Sequence, residues 1–189
     1  MRALAAGCGF AFLLVLLLTP LVRRLALRMG ALDQLSARKV GGARQVPRLG
    51  GLAIAAAFYA TLALLWLARS TLFHGVLAEG RRIVALLIGG VPILLLGCID
   101  DLRGMRALTK LTVQVAVAAS LWLCGLRVDG ALSVWAAGAL PAWASLSLTV
   151  LWVTGVINAV NLIDGLDGLA SGVALFALFS TSVIALLRG

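Results

Sequence analysis

Residues 83–99 read IVALLIGGVPILLLGCI, and none of their side chains is charged. A transmembrane helix needs about 20 predominantly apolar residues, because it must cross a hydrocarbon core about 30 Å thick. Asp100 and Asp101 follow this run directly, so the apolar segment ends in two adjacent carboxylates. The stretch therefore predicts a membrane-spanning helix with an acidic pair at one boundary.

The composition extends this prediction to most of the chain. Of the 189 residues, 62% are hydrophobic and 12% are charged, whereas soluble domains have about 45–50% and about 25%. This balance excludes a water-soluble globular domain and a disordered tail. We expect an all-α, polytopic integral membrane protein with about six transmembrane helices, forming a single membrane domain over residues 1–189. The predicted spans are Ala3–Val22, Leu49–Ala68, Ile83–Ile99, Leu108–Leu126, Trp143–Ile163 and Leu169–Leu187.

The positive charges predict the orientation of these spans. The chain has sixteen Lys and Arg against seven Asp and Glu, which gives a net charge of +9. These basic residues lie between apolar runs, where they act as topology determinants, so we expect contact with membrane lipid and no nucleic-acid partner. Segments rich in Lys and Arg stay cytoplasmic, and their distribution favours an external N-terminus. For the first run a cleaved signal peptide stays open, although its length favours a retained span.

Two acidic pairs emerge on one side of the predicted membrane. Asp100 and Asp101 follow the third span, whereas Asp164 and Asp167 follow the fifth, so both pairs face the cytoplasm in this topology. Carboxylates at the edge of a span need water, a cation or a base to compensate their charge. Mg²⁺ suits them, because it takes one or two carboxylates and shares its other positions with water and substrate phosphates. The pairs indicate phosphoryl chemistry, with plain helix ends as the alternative.

Polar residues recur at intervals of three in NAVNLIDGLDGL, residues 158–169. At about 100° per residue, an unbroken helix would turn Asn158 and Asp167 to opposite sides. Gly165 and Gly168 let the backbone leave helical geometry, so we expect the four polar side chains to line one pocket. Helix capping and helix–helix contacts stay open as their alternative roles. The four residues are Asn158, Asn161, Asp164 and Asp167.

A basic, glycine-rich loop precedes the second predicted span. It carries Arg38, Lys39 and Arg44 and runs into VPRLGG, residues 46–51. Such a segment is typical of places where phosphates or anionic lipid headgroups approach, and plain positive-inside anchoring is the alternative. Lys110 lies one short loop beyond the Asp pair, where it would neutralise a carboxylate or contact a phosphate.

Together these stretches resemble the polyprenyl-phosphate N-acetylhexosamine-1-phosphate transferases, which belong to glycosyltransferase family 4. The motif that reads Pro47-Arg48-Leu49-Gly50-Gly51 in this chain is more similar to that of the N-acetylglucosaminyl branch of the family than to that of the muramoyl-pentapeptide branch. The matching residues are Arg38-Lys39, Val46–Gly51, Ile99-Asp100-Asp101, Lys110, Gln114 and Trp152–Ala170.

The resemblance implies an enzyme that transfers a sugar 1-phosphate from a UDP-sugar to undecaprenyl phosphate and releases UMP. It implies Mg²⁺ as cofactor, with Mn²⁺ as a substitute, and an active site on the cytoplasmic face of a bacterial inner membrane; a homodimer stays open. Asp100 would be the base or orienting group for the lipid phosphate, and Asp101 and Asp164 would hold the metal. The implied catalytic residues are Asp100, Asp101, Asp164 and Asp167, and the implied substrate contacts are Lys110, Asn158, Asn161, Gly165, Arg38, Lys39 and Arg44.

The chain departs from the family pattern in two ways. Family members usually carry a histidine shortly after the Arg-Lys pair, where this chain has Gly41. They are also longer, so we expect an N-terminal part of a longer product whose principal Mg²⁺ ligand lies beyond residue 189, or a natural truncation.

Three other classes compete with this interpretation. A CDP-alcohol phosphotransferase shares the start of its motif with residues 164–168, but the Ala-Arg pair that should follow is missing. An ion-coupled transporter would carry acidic residues near the midplane of several spans. An inactive membrane scaffold is the third alternative.

Overall fold

The structure of the chain is a computed structural model that describes residues 2–31, 47–68, 80–128, 140–164 and 169–188. Within these ranges the elements are all helices, which confirms the all-α prediction. They are α1 (Arg2–Met29), α2 (Gly50–Leu67), α3 (Arg81–Arg103), α4 (Ala107–Leu123), α5 (Ala142–Ile163) and α6 (Leu169–Arg188).

Each predicted span corresponds to one of these helices. Among the residues that the structure describes, four helices are long and apolar enough to cross a membrane, namely α1 from Ala6 onward, α2, α3 and α5. The apolar helices α4 and Leu169–Ala185 of α6 are shorter. The 17 residues of α4 still fall at the lower end of the range of about 17–25 residues for a span. The architecture is that of a polytopic helical membrane protein, as predicted.

The structure corrects the predicted end of the first span. The apolar run stops at Val22, but α1 continues to Met29 and carries Arg23 and Arg24 on the helix. Hydropathy marks where apolar side chains end, whereas a helix ends where its backbone hydrogen bonding stops. Because Arg and Leu are good helix formers, the basic sequence after Val22 does not interrupt the helix.

A Schellman motif ends α1. Gly30 adopts a left-handed conformation with φ 71°, which glycine accepts without steric cost. Its N–H donates to the Leu27 carbonyl at 3.4 Å, and the Ala31 N–H donates to the Ala26 carbonyl at 2.9 Å. Both alanines are buried, and they form a small apolar cluster with Leu49. The motif therefore turns the chain back toward the start of α2.

The chain divides into two compact units, Met1–Leu126 and Arg127–Gly189, and the single-domain prediction stays a prediction. In the first unit α1 packs along α2, α3 packs along α4, and α2 also contacts α3. Glycines allow α3 to approach its neighbours closely, as is common between membrane helices. A Cβ added at Gly89 would lie 3.1 Å from a Leu121 methyl group, and one at Gly90 would lie 3.0 Å from the Tyr59 hydroxyl.

In the second unit α5 contacts α6, and α5 buries a row of small hydroxyl side chains. The Thr149 hydroxyl donates to the Ser145 carbonyl at 2.8 Å and accepts the Val128 N–H at 3.2 Å. These bonds satisfy polar groups that would be costly to bury alone.

Candidate active site

Asp100 lies in the last turn of α3, and both oxygens of its carboxylate have partners. Lys110, in the first turn of α4, donates from Nζ to Oδ2 and forms an ion pair with it. The Met105 N–H donates to Oδ1 at 2.8 Å. The Lys110 and Asp100 side chains are 27% and 24% exposed, so the pair is oriented by the protein and still accessible to a ligand.

A three-residue turn brings these two helix ends together. Gly104 follows α3 with φ 66° and ψ 138°, a region of backbone conformation that is essentially restricted to glycine. Its N–H donates to the Asp100 carbonyl at 2.8 Å. Arg106 then takes an extended conformation immediately before α4. The turn explains how side chains ten positions apart form an ion pair.

Asp101 links α3 to the segment before α2. Its Oδ2 accepts the Leu49 N–H at 3.1 Å, across 52 positions of sequence. Leu49 has φ 74° and ψ 10°, a left-handed conformation that is rare for a bulky residue. The side chain is 4% exposed and packs against Ala26 and Ala31. Burial of leucine and the bond to Asp101 together hold this conformation.

The Pro-Arg-Leu-Gly-Gly segment is therefore fixed from two sides. The Arg48 N–H donates to the Ala31 carbonyl at 2.9 Å, while Asp101 accepts the next N–H along the chain. These contacts join the end of α1, the start of α2 and the end of α3. Three separated parts of the sequence meet at one end of the first unit, namely the Pro-Arg-Leu-Gly-Gly segment, the Asp pair and Lys110.

The second unit carries a different set of predicted site residues. Asn158 and Asn161 lie on α5, and Asp164 follows its last residue. All three side chains are exposed. The Asn158 amide donates to the Thr154 carbonyl at 2.8 Å. The helix persists to Ile163, so Asn158 and Asp164 are separated by about 120° around its axis.

Part of the predicted site lies outside the described residues. Asp167 is one of the four polar side chains that we expect to share one pocket. Because it lies outside the described residues, that expectation stays a prediction. The predicted site residues concerned are Arg38, Lys39, Arg44, Gly165 and Asp167.

The carboxylates that the structure does describe have the donor chemistry that Mg²⁺ prefers. Asp164 is exposed at the end of α5, and Asp101 is half-buried at the end of α3. No group of three or more His, Cys, Asp or Glu side chains with metal-binding spacing occurs among the described residues. A Mg²⁺ site completed by substrate phosphates needs only one or two carboxylates. Asp101 belongs to the first unit and Asp164 to the second, and the metal-binding role of each stays a prediction.

These features define a class of protein: a multi-pass helical membrane protein with an accessible Asp–Lys pair where its helices end, suited to phosphate chemistry. Residues 83–189 match the family model of glycosyl transferase family 4. The chain belongs to this family, and the resemblance drawn from its motifs is confirmed.

One similar protein comes from Bacillus subtilis (strain 168) and is named probable undecaprenyl-phosphate N-acetylglucosaminyl 1-phosphate transferase. The two are 39% identical over 182 residues, which cover 94% of this chain and 47% of the relative. The chain thus spans about half the length of the curated relative that it matches. No solved structure matches the chain.

Proposed function

We propose that a protein carrying this chain transfers N-acetylglucosamine 1-phosphate from a UDP-sugar to undecaprenyl phosphate. An oxygen of the lipid phosphate attacks the phosphorus that carries the sugar, a new diphosphate bond forms, and the bond to UMP breaks. Family membership and the name of the 39% identical relative support this reaction. The observation that carries it is the Asp100–Lys110 ion pair, which stands beside the Pro-Arg-Leu-Gly-Gly segment.

The attack of one phosphate on another brings two anions together. Such reactions depend on screening of negative charge and on in-line positioning more than on covalent chemistry by the protein. Lys110 supplies a positive charge whose position Asp100 fixes. A lysine ammonium has three N–H donors, so Lys110 can keep Asp100 as a partner while it binds a phosphate oxygen.

Asp100 has a second role in this proposal. It orients the lipid phosphate and accepts a proton from it when that phosphate arrives protonated. The Met105 N–H holds the carboxylate in place through its other oxygen. The proton acceptor is therefore preorganised, which is what efficient general-base catalysis requires.

We propose Mg²⁺ as the cofactor, with Mn²⁺ as a substitute, and Asp101 and Asp164 as its protein ligands. When bound, the ion screens the charge of the diphosphate. Asn158 and Asn161 would contact the nucleotide. An active site at the cytoplasmic face of a bacterial inner membrane lets a soluble sugar nucleotide meet a lipid that stays in the membrane.

The charge distribution disfavours an ion-coupled transporter. Within the described helices, the charged side chains lie near helix ends, and α2 and α5 carry none. A transport path through the membrane would place them near the midplane of several spans. The match to glycosyl transferase family 4 likewise disfavours a CDP-alcohol phosphotransferase.

The test measures labelled lipid formed from radiolabelled UDP-N-acetylglucosamine and undecaprenyl phosphate in bacterial membranes. One arm uses the chain itself, and the other uses a chimera in which the chain replaces the matching part of the Bacillus subtilis relative. Asp100→Asn should lower product formation by about 100-fold or more, because a positioned base contributes about 10²–10⁴-fold.

Arg103→Gln is the matched control, since this exposed side chain lies in the same last turn of α3. It should leave product formation unchanged. Absence of labelled lipid from the chimera contradicts the proposed reaction. Equal product from wild type and Asp100→Asn contradicts the site assignment.

A further inference from the structure

A glutamine is buried on the face of α4 that packs against α3. Gln114 is 5% exposed, and the other buried residues of α4 are Val117, Ala118 and Leu121. Their spacing of three and four residues places all of them on one side of the helix. A Cβ added at Gly89 of α3 would lie 3.1 Å from a Leu121 methyl group and 3.6 Å from one of Val117. Gln114 therefore belongs to the contact between α3 and α4.

Within this contact, Gln114 lies one helical turn from Lys110. Residues four apart on a helix are neighbours on the same face, with about 5–6 Å between their Cβ atoms. The helices run in opposite directions, since Asp100 meets Lys110 and Gly89 meets Leu121. In this alignment the residue of α3 opposite Gln114 is Leu96, which is 7% exposed. The amide thus lies next to the ion pair, in the apolar part of the contact.

A polar side chain at such a position restricts how two helices can align. No buried side-chain N or O atom of the described residues lacks a hydrogen-bond partner, and Gln114 has a partner too. Apolar contacts can rearrange at little cost when helices slide or rotate, whereas an amide that loses its hydrogen bonds in apolar surroundings is costly. Single polar residues fix the register of coiled coils in this way. In membranes, glutamine also contributes hydrogen bonds between helices.

We propose that Gln114 is a positioning residue, which fixes the alignment of α4 against α3 and so keeps the Lys110 ammonium at the Asp100 carboxylate. The short turn between the two helices limits how far their ends separate, but it leaves the rotation of α4 about its own axis to side-chain packing. This inference rests on the proposed function and deepens it, because it assigns the residue that aligns the phosphate-binding ammonium. Gln114 itself touches no reacting atom in this proposal.

The first experiment measures the rate at which Lys110 is acetylated by an amine-reactive ester, with peptide mass spectrometry on the purified chain. An ammonium held by a carboxylate is less accessible to the reagent than a free one. Asp100→Asn removes the carboxylate and should therefore raise the rate. Gln114→Met, which has a similar size but no amide, should shift the rate from the wild-type value to that of Asp100→Asn. Lys39 is the other lysine of the chain and serves as an internal reference for the reagent.

Thr112→Val is the matched control, because it also removes a polar group from α4. Thr112 lies two residues from Gln114 and is exposed, and its hydroxyl donates to the Leu108 carbonyl of its own helix at 2.8 Å. This variant should keep the wild-type acetylation rate. Gln114→Leu is a second apolar replacement and should give the same rate as Gln114→Met.

Four outcomes of this experiment would overturn the proposal. Two are a wild-type rate in both apolar variants and an equal increase in Thr112→Val. The third is a wild-type rate in Asp100→Asn, since the ion pair would then not control access to Lys110. The fourth is unfolding of both apolar variants under conditions where wild type is folded, which would assign Gln114 to general stability.

The second experiment connects the alignment to transfer. In the chimera, Gln114→Met should lower labelled-lipid formation by about tenfold or more, because a misplacement of about 1 Å can cost about 10²-fold in rate. Unchanged product formation in a variant with faster acetylation of Lys110 would overturn the positioning role. Acetylation requires no turnover, so absence of product from the wild-type chimera contradicts the proposed function and does not alter the acetylation result.

Discussion

The Asp101 carboxylate accepts the Leu49 N–H at 3.1 Å and so joins the end of α3 to the start of α2. A hydrogen bond to an ionised carboxylate is stronger than one between neutral groups. Leu49 occupies a left-handed conformation that a leucine rarely adopts. Asp101 therefore has a positioning role, whether or not it also binds a metal ion.

Substitution of Asp101 should separate these two roles. Asp101→Ala removes the acceptor of a buried N–H and should destabilise the protein by about 1–3 kcal/mol. Asp101→Asn keeps an acceptor oxygen and should cost less stability, yet it loses the negative charge and should lower transfer activity as strongly as the alanine variant. Thermal unfolding in detergent and the labelled-lipid assay measure the two effects. Equal stability of both variants contradicts the positioning role.

Leu49→Gly tests whether backbone strain or side-chain packing has the larger effect on stability at this left-handed residue. Glycine relieves a conformational cost of roughly 1–2 kcal/mol. The substitution also removes a side chain that is 4% exposed, and loss of a buried leucine costs about 2–5 kcal/mol. The variant should thus be less stable than wild type by thermal unfolding. A more stable variant would show that backbone strain outweighs packing here.

Gly104→Ala should disturb the turn that forms the Asp100–Lys110 pair. Its φ of 66° with ψ 138° costs a residue with a Cβ about 1–3 kcal/mol. Gly97→Ala is the matched control, because Gly97 lies within α3, seven residues before Gly104, and an added Cβ there meets nothing within 4 Å. Alanine is the better helix former there by up to about 1 kcal/mol. Lower stability of Gly97→Ala than of Gly104→Ala would contradict this account of the turn.

The helices and the Asp100–Lys110 pair can be predicted from the sequence, whereas the Leu49–Asp101 bond cannot. The helices follow from apolar runs, because hydropathy is a local property of each segment. The approach of Lys110 to the Asp pair is also nearly local, since one short turn connects the two. The Leu49–Asp101 bond spans 52 positions and depends on a leucine in a conformation that no propensity favours. Tertiary packing alone determines it, so the sequence carries no signal for it.

The end of α1 shows a second limit. A hydropathy pattern locates the boundary of the apolar segment at Val22, and it contains no information on the seven helical residues that follow. Gly30 is the local signal for the true end, because glycine commonly provides the left-handed residue after a helix. Reading that glycine together with the hydropathy would have extended the helix correctly.

The proposed metal ligands predict a change in Mg²⁺ requirement. In the chimera, removal of divalent ions by EDTA should abolish labelled-lipid formation, and added Mn²⁺ should restore it. Asp164→Asn should shift the Mg²⁺ concentration for half-maximal activity upward by about tenfold or more, in line with the effect of altering the surroundings of a metal. Asn161→Ala serves as the control, because Asn161 is a proposed contact to the nucleotide. This variant should raise the UDP-sugar concentration for half-maximal activity and leave that for Mg²⁺ unchanged. An unchanged Mg²⁺ requirement in Asp164→Asn contradicts its assignment as a ligand.

Asp100 and Lys110 should behave as one functional unit. If Asp100 orients Lys110 as well as the lipid phosphate, removal of either partner disables the same step. The double variant Asp100→Asn, Lys110→Gln should then lose little more activity than Asp100→Asn alone, because residues that act together are strongly non-additive. The labelled-lipid assay on the four proteins of this double-mutant cycle gives the coupling directly. Losses that multiply would mean that the two side chains act independently, and that their ion pair is not what positions the ammonium for phosphate.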